Sequence, residues 1–271
     1  MFQSIGFIGT GNMGSALAMA ADKGAAEGAV LYLANRTPAK AEGLRAKLTR
    51  ARVSTNEEIA RTCDLIFLGV KPQMMAGVLA GINPILAERT DRFVICSMAA
   101  GLNFEALTAL MGKEYPIIRI MPNTPAAVGQ GVAQFCVNEG VTAGEKEEFL
   151  KLMAPSGLLD EMSEPMMVAA NCVSGCGIAF AAMFMEGLAD GGVACGMPRD
   201  LAYSCAAQTM VGTGALYLAE KTHPGAMKDA VCSPGGVTIQ GVRTLEERGF
   251  RAACMDAVIA AYDKVRSMEK K

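Results

Sequence analysis

The chain has 271 residues, a formal net charge of −2 and an apolar share of 51%, which suits one large or two medium domains with an ample core. Charge this balanced, with no concentrated basic stripe, argues against a nucleic-acid partner. The single histidine, His223, excludes a multi-histidine metal site, and no uninterrupted apolar run reaches the 18 residues of a membrane span.

Residues 1–9 are expected to form a first strand, not a signal peptide. The stretch Ser4-Ile5-Gly6-Phe7-Ile8-Gly9-Thr10-Gly11-Asn12-Met13-Gly14 ends an apolar run in Gly-x-Gly-x-x-Gly, and helix formers follow from Ser15. Strand, tight turn and helix in that order predict a dinucleotide site. Gly9 permits the turn, Gly11 lets backbone approach a pyrophosphate, and Gly14 lets the helix lie close to the strand. The amides around Thr10, Asn12 and Met13 then face the phosphates from a helix N-terminus.

Val30-Leu31-Tyr32-Leu33-Ala34 reads as the second strand. An NAD-preferring unit ends this strand in Asp or Glu, which holds the ribose 2′-hydroxyl. Here it runs into Asn35-Arg36-Thr37. Arg36 can pair with a 2′-phosphate while Asn35 and Thr37 donate to it. NADPH is therefore expected as cofactor, with NADH weaker. A helix is expected over 39–49, and Asn56 opens a short one. The apolar run at 65–70 reads as a buried parallel strand ending at Val70-Lys71-Pro72. The edge where such strands end binds ligands, which places Asn56, Val70, Lys71 and Pro72 near the cofactor. Strands are expected at 93–97, 117–121, 133–137 and 158–162, with a helix at 143–153. The small residues of Met98-Ala99-Ala100-Gly101 let a nicotinamide ribose come close to Ala99, and the two prolines around Asn123-Thr124 make a rigid loop at the same edge.

From Pro165 the pattern changes to long helices of Ala, Met, Leu and Val, expected at 165–195, 198–221 and 249–268. A Rossmann dinucleotide-binding domain is thus expected over 1–164 and a helical domain over 165–271. Glycine recurs through 187–196 although it costs a helix about 1 kcal/mol relative to alanine, which points to close helix contacts. So apolar a half is suited to a subunit interface. The loop Cys232-Ser233-Pro234-Gly235-Gly236-Val237-Thr238 then leads into an amphipathic helix. Amides of Gly235, Gly236, Val237 and Thr238 at such a start suit a carboxylate, and the hydroxyls of Ser233 and Thr238 add donors. Simple capping of the helix by Thr238 is the structural alternative. The nine cysteines are scattered without a Cys-x-x-Cys pair and read as reduced, mostly buried thiols of a cytoplasmic protein.

With these motifs in order, the chain resembles pyrroline-5-carboxylate reductase over essentially its full length. The resemblance rests on Gly6-Phe7-Ile8-Gly9-Thr10-Gly11-Asn12-Met13, Leu68-Gly69-Val70-Lys71-Pro72, Met121-Pro122-Asn123-Thr124-Pro125, Ala189-Asp190-Gly191-Gly192-Val193, Gly196-Met197-Pro198-Arg199, His223-Pro224-Gly225 and, most diagnostic, Ser233-Pro234-Gly235-Gly236-Val237-Thr238-Ile239. It implies an α/β Rossmann N-terminal domain plus an all-α C-terminal dimerisation domain, and an active site where domains and subunits meet. The implied assembly is a homodimer, commonly built into decamers as pentamers of dimers. The implied reaction is hydride transfer from NAD(P)H to carbon 5 of 1-pyrroline-5-carboxylate, giving L-proline. By position, Asn35-Arg36-Thr37, Asn56, Lys71 and Ala99 resemble cofactor contacts, and Ser233, Gly236, Val237 and Thr238 substrate contacts. Thr238 resembles the residue whose hydroxyl bonds the ring nitrogen.

The family usually carries Ser-Gly-Ser-Gly-Pro-Ala-Tyr where this chain has Ser174-Gly175-Cys176-Gly177-Ile178-Ala179-Phe180. Ile178 removes a rigid helix start and Phe180 a hydroxyl. The chemistry asks little of the protein beyond alignment, because a protonated cyclic imine is already electrophilic. Alternatives are the reduction of another cyclic imino acid and a non-catalytic NADPH-binding regulator. A 3-hydroxyacid dehydrogenase would need a lysine in the glycine-rich stretch 175–196, which has none.

Overall fold

The computed structural model describes residues 2–269, and the chain divides into two compact units after Gly175. The first unit alternates strands with helices. Its strands are β1 (Ser4–Ile8), β2 (Val30–Ala34), β3 (Ala51–Val53), β4 (Leu65–Leu68), β5 (Val94–Ser97), β6 (Ile117–Pro122), β7 (Gly131–Val137) and β8 (Gly157–Glu161). They form one sheet in the order β3-β2-β1-β4-β5-β6-β7-β8. All neighbours are parallel except β6 and β7. This is the doubly wound Rossmann order extended by two strands, with its reversal of direction between β1 and β4.

Strands buried on both faces explain the continuous apolar runs. Phe7 and Phe67 are register partners on β1 and β4 and stack at 4.4 Å. On their face lie α1 (Asn12–Gly24), α2 (Pro38–Arg45) and α6 (Ala143–Met153), with Phe149 of α6 6.5 Å from Phe67 and 5.7 Å from Phe135. The opposite face is covered by α3 (Asn56–Thr62), α4 (Pro72–Glu88) and α5 (Phe104–Met111) through Ile59, Met75, Leu79, Ile82 and Leu107. Burial pushes the Cys63 thiol up to about 12 and Cys136 to about 11, so both stay protonated.

Three local features differ from the sequence expectation. The helix expected over 39–49 stops at Arg45. The buried Asp22 carboxylate accepts from the Thr49 amide and hydroxyl and from the Arg50 amide, which pulls the chain out of the helix and into β3, a strand the pattern did not reveal. The loop after Pro122 is a 3-10 turn over Thr124–Val128. The helix expected over 165–195 is interrupted. A 3-10 turn (Glu164–Met166) and α7 (Met167–Asn171) lead into a π-turn at Cys172–Cys176, and α8 begins at Gly177 and runs to Ala194. Ile178 therefore sits inside a helix start that holds without proline.

The second unit contains α8, then α9 (Arg199–Glu220), α10 (Pro224–Ala230), α11 (Val237–Glu247) and α12 (Phe250–Glu269). Its buried core among the described residues is Ala189, Ala202 and Ala206. Met183, Val211, Met255 and Ile259 are all more than half exposed. Methyl groups this few cannot offset the entropy of ordering so many residues, so the unit is built to bury apolar surface against a partner. The segment Glu164–Ala194 is also long and apolar enough, by length and composition, to cross a membrane, although polar residues interrupt its apolar sequence.

At the start of α6, Thr142 and Glu145 form a capping box, and Glu145 also accepts a fork of bonds from Arg92 at 2.7 and 2.8 Å. Burial raises the Glu145 carboxyl, but these bonds outweigh it and hold the group below its ordinary value. A lowered folded value stabilises above the unfolded pKa of about 4.3 and is lost as pH falls through the folded one. Glu145→Gln is expected to cost about 1 kcal/mol at pH 7. In urea titrations at fixed protein concentration, the gap between variant and parent should close as pH drops below about 4.

Candidate functional site

The three glycines of the first turn have three different physical reasons. Gly9 has φ +100°, and a Cβ there would lie 2.8 Å from the Gly69 carbonyl. A Cβ on Gly14 would lie 2.1 Å from the Gly9 oxygen, so α1 can sit this close to β1 only with glycine. A Cβ on Gly11 would meet nothing within 4 Å, because this position faces open space. Gly69 completes the set: its Cβ would lie 2.6 Å from the Gly9 oxygen and 2.5 Å from Met98 Cε. The family motif around Gly69 was legible in sequence, but its packing against Gly9 was not.

Two open cavities flank this turn at the strand C-terminal edge. One, of about 620 Å³, is bounded by Thr10, Gly11, Asn12, Ser15, Lys40, Lys47 and Thr124. The other, of about 670 Å³, gathers Gly9, Gly11, Asn35, Arg36, Thr37, Asn56, Val70 and Lys71. The expected cofactor residues thus divide between the two cavities, Thr10 and Asn12 on the first and most of the others on the second, with Gly11 on both; Met13, Gly14, Pro72, Ala99 and Asn123 line neither. Met13 and Gly14 lie in the first turn of α1, and Pro72 is the first residue of α4. Ala99 is buried. Lys40, Ser15, Thr124 and Glu57 are wall residues the sequence reading missed.

Side chains that looked free for a ligand are in part already committed. Asn35 Oδ1 accepts from the Thr10 amide at 3.2 Å, and Nδ2 donates to the Thr37 carbonyl at 3.0 Å, so Asn35 ties the glycine turn to the end of β2. Asn123 Oδ1 accepts from the Val132 amide, and Nδ2 donates to the Ser174 carbonyl. That carbonyl lies in the π-turn, where the regular helix bond is lost. Gln134 accepts from the Ser174 hydroxyl at 3.0 Å. Arg36, by contrast, makes no ion pair among the described residues, and its guanidinium donates only to Met74 Sδ, at 3.9 Å.

In the second unit, Gly235 has φ +69°, and the Gly236 amide donates to the Ser233 carbonyl at 3.0 Å. Gly236 is therefore the N-cap of α11 and its amide is spent within the loop, contrary to its expected role as a free donor. Val237, Thr238 and Ile239 follow in the first turn, where amides lack intrahelical partners. Val237 is 90% exposed. The Thr238 hydroxyl has no partner among the described residues and does not cap the helix. His223 Nδ1 accepts from the Gly225 amide at 3.0 Å as the N-cap of α10, which is a structural task.

A family model described as pyrroline-5-carboxylate reductase dimerisation matches residues 164–268. A second, described as NADP oxidoreductase, coenzyme F420-dependent, matches residues 4–101. Pyrroline-5-carboxylate reductase of Escherichia coli strain K12 is 39% identical, with all of both chains covered. That of Pisum sativum is 35% identical over 98% of this chain and 96% of its own.

The chain belongs to the pyrroline-5-carboxylate reductase family.

Solved structures agree. The Plasmodium falciparum pyrroline carboxylate reductase with NADP bound superposes with a TM-score of 0.84 at 33% identity, covering 98% of this chain and 99% of its own. The Coxiella burnetii pyrroline-5-carboxylate reductase gives 0.87 at 27% identity, covering 97% of each. As a reductase of this family, the protein is an NADP-dependent oxidoreductase that reduces 1-pyrroline-5-carboxylate to L-proline. Its helical half is a dimerisation domain, which gives the exposed apolar side chains there, and those of the segment Glu164–Ala194, a protein partner. The residues present fit the cofactor. Gly11 leaves a space that a Cβ would fill, and Thr10 Oγ1 is buried on the cavity wall without a hydrogen-bond partner.

The glycine geometry separates two substitutions. Gly14→Ala is expected to destabilise the protein by about 1–3 kcal/mol, because backbone must move. Gly11→Ala is expected to stay within about 1 kcal/mol of the parent yet weaken NADPH binding at least about tenfold by filling the phosphate space. Thermal unfolding and isothermal titration on the same two variants check both halves.

Proposed function

We propose that NADPH lies along the groove from Gly11 to Arg36, with its pyrophosphate on the amides of Gly11, Asn12 and Met13 and its 2′-phosphate beside Arg36 and Thr37. The single observation that carries this is the convergence of Gly9, Gly11, Arg36, Thr37, Asn56, Val70 and Lys71 on one cavity. Arg36 stands there without a carboxylate partner, which supports NADPH over NADH. Asn35 acts by joining the two loops, Gly14 and Pro72 shape the helix starts that bound the groove, and Asn123 holds the turn that presents Thr124. Ala99 supplies a small surface at the end of β5. When bound, the reduced nicotinamide supplies the hydride.

The substrate half of the chemistry belongs to the loop before α11. Amides of Val237, Thr238 and Ile239 hold the substrate carboxylate, favoured by the positive end of the helix dipole. Gly235 and Gly236 shape that loop, the first through its positive φ and the second by closing the turn onto Ser233. The free Thr238 hydroxyl bonds the ring nitrogen and orients carbon 5. A threonine is too weak an acid to drive protonation itself, so its contribution is orientation. Family resemblance further supports a cytoplasmic enzyme assembled as a pentamer of dimers.

Thr238→Ala is expected to leave NADPH affinity unchanged and to lower turnover about 10–100-fold, the value of one hydrogen bond to a charged group. Thr238→Ser should restore most of it. The readout is loss of NADPH absorbance with pyrroline-5-carboxylate beside a cofactor titration, and wild-type turnover in the alanine variant would overturn the assignment.

A further inference from the structure

We infer that Gln134 is a positioning residue for hydride transfer, acting through Ser174 on the π-turn at which the chain leaves the first unit. The inference rests on the proposed placement of the nicotinamide on the first unit and of the substrate on the loop before α11. The chain passes from one unit to the other once, after Gly175. That point lies inside the π-turn Cys172–Cys176. Whatever fixes this turn fixes where, and in what direction, the chain departs from the unit that holds the groove.

The segment before that point is strapped to the sheet and is not a free linker. At its start, Glu164 Oε1 accepts from the Phe104 amide at 2.7 Å and from Arg119 Nη1 of β6 at 2.5 Å. In its middle, the fully buried Met167 packs on Met121 and Cys136, and its sulfur accepts from Cys136 Sγ at 3.1 Å. At its end, Asn123 Nδ2 donates to the Ser174 carbonyl, and Gln134 Oε1 accepts from the Ser174 hydroxyl. Asn123 has a second task, since its oxygen holds the Val132 amide. Gln134 Oε1 has only the Ser174 hydroxyl among the described residues. Gln134 stands in β7 between the buried Ala133 and Phe135 and is itself 3% exposed. On stability alone an apolar side chain would serve as well there, because a buried amide must first be desolvated. The bond joins no strand to a strand and caps no helix. It anchors a turn where the regular helix bonds are shifted, an interruption that recurs at functional sites. Hydride transfer needs the two reacting carbons about 3–3.5 Å apart, and a misplacement of about 1 Å caused far from the chemistry can slow it about a hundredfold. So deeply buried, Gln134 presents almost no surface to a reactant, and it acts on that distance through the backbone.

The test compares Gln134→Met, Ser174→Ala and the double variant of the full chain with the parent. Binding sites are counted by NADPH titration, and single-turnover oxidation of bound NADPH by pyrroline-5-carboxylate is followed by absorbance. Each single variant should slow this step about tenfold, with the dissociation constants of NADPH and L-proline within about twofold of the parent. The double variant should be no slower than the slower single, since all three lose the same bond. NADPH deuterated at the transferred position should show a primary isotope effect on the slowed step. Ser174→Thr, which keeps the hydroxyl, should recover most of the rate. A purely structural role would lower the melting temperature and the amplitude but leave the rate per site unchanged, and that result overturns the inference. A loss of NADPH affinity as large as the loss of rate, or additive losses in the double variant, also overturns it. If Gln134→Met does not fold, Ser174→Ala reads the same bond. Thr238→Ala, run in parallel, separates the underlying reading. A normal rate in Thr238→Ala overturns the substrate placement and the inference with it, whereas a slow Thr238→Ala beside a normal Ser174→Ala removes Gln134 alone.

Discussion

The structure depends on one carbonyl oxygen, that of Gly9. Gly14 approaches it from α1 and Gly69 from the end of β4, each at a distance where a side chain would collide. Gly9 itself turns with positive φ against the Gly69 backbone. The crossing of β1, β4 and α1 is therefore a contact of backbone with backbone. It draws the helix start down to the sheet edge and opens the space that Gly11 leaves. The pyrophosphate seat we propose is the outside of this packing, so stability and binding would meet in adjacent residues without sharing them.

The two units solve the problem of burial differently. The first covers a sheet of phenylalanine, isoleucine and leucine on both faces and is complete in itself. The second pairs α8 and α9 through alanines and leaves its large apolar side chains outside. Small residues let helices come close but contribute little transfer energy. A fold of this kind is finished by association, which makes its stability inseparable from protein concentration.

Much of this was legible in the sequence where one local rule acted alone. The glycine triplet, the β2 strand, the α6 helix and the loop before α11 each follow from spacing or capping over a few residues. What was not legible came from distant partners. Asp22 ends α2 early and starts β3 from more than twenty residues away. Asn123, just past the end of β6, and Gln134 of β7 hold the π-turn from two separate places in the sheet. Asn35 looked like a ligand donor because its bond to Thr10 joins loops that only the folded sheet brings together. The spent amide of Gly236 was hidden for a different reason, since a tight turn and an open anion nest share the same glycines.

The Asn35 bridge bears on how this enzyme can change over evolutionary time. The shortest route from an NADP site to an NAD site places an acidic residue at the end of β2. Asn35→Asp would keep the acceptor for the Thr10 amide but would set a carboxylate oxygen against the Thr37 carbonyl, where a donor now lies 3.0 Å away. The joint between the two loops would open as the new ribose contact formed. A lineage leaving NADP would have to rebuild the Thr37 turn in the same step or lose its grip on the pyrophosphate. The cofactor preference is thus protected by a hydrogen bond that need never touch the cofactor.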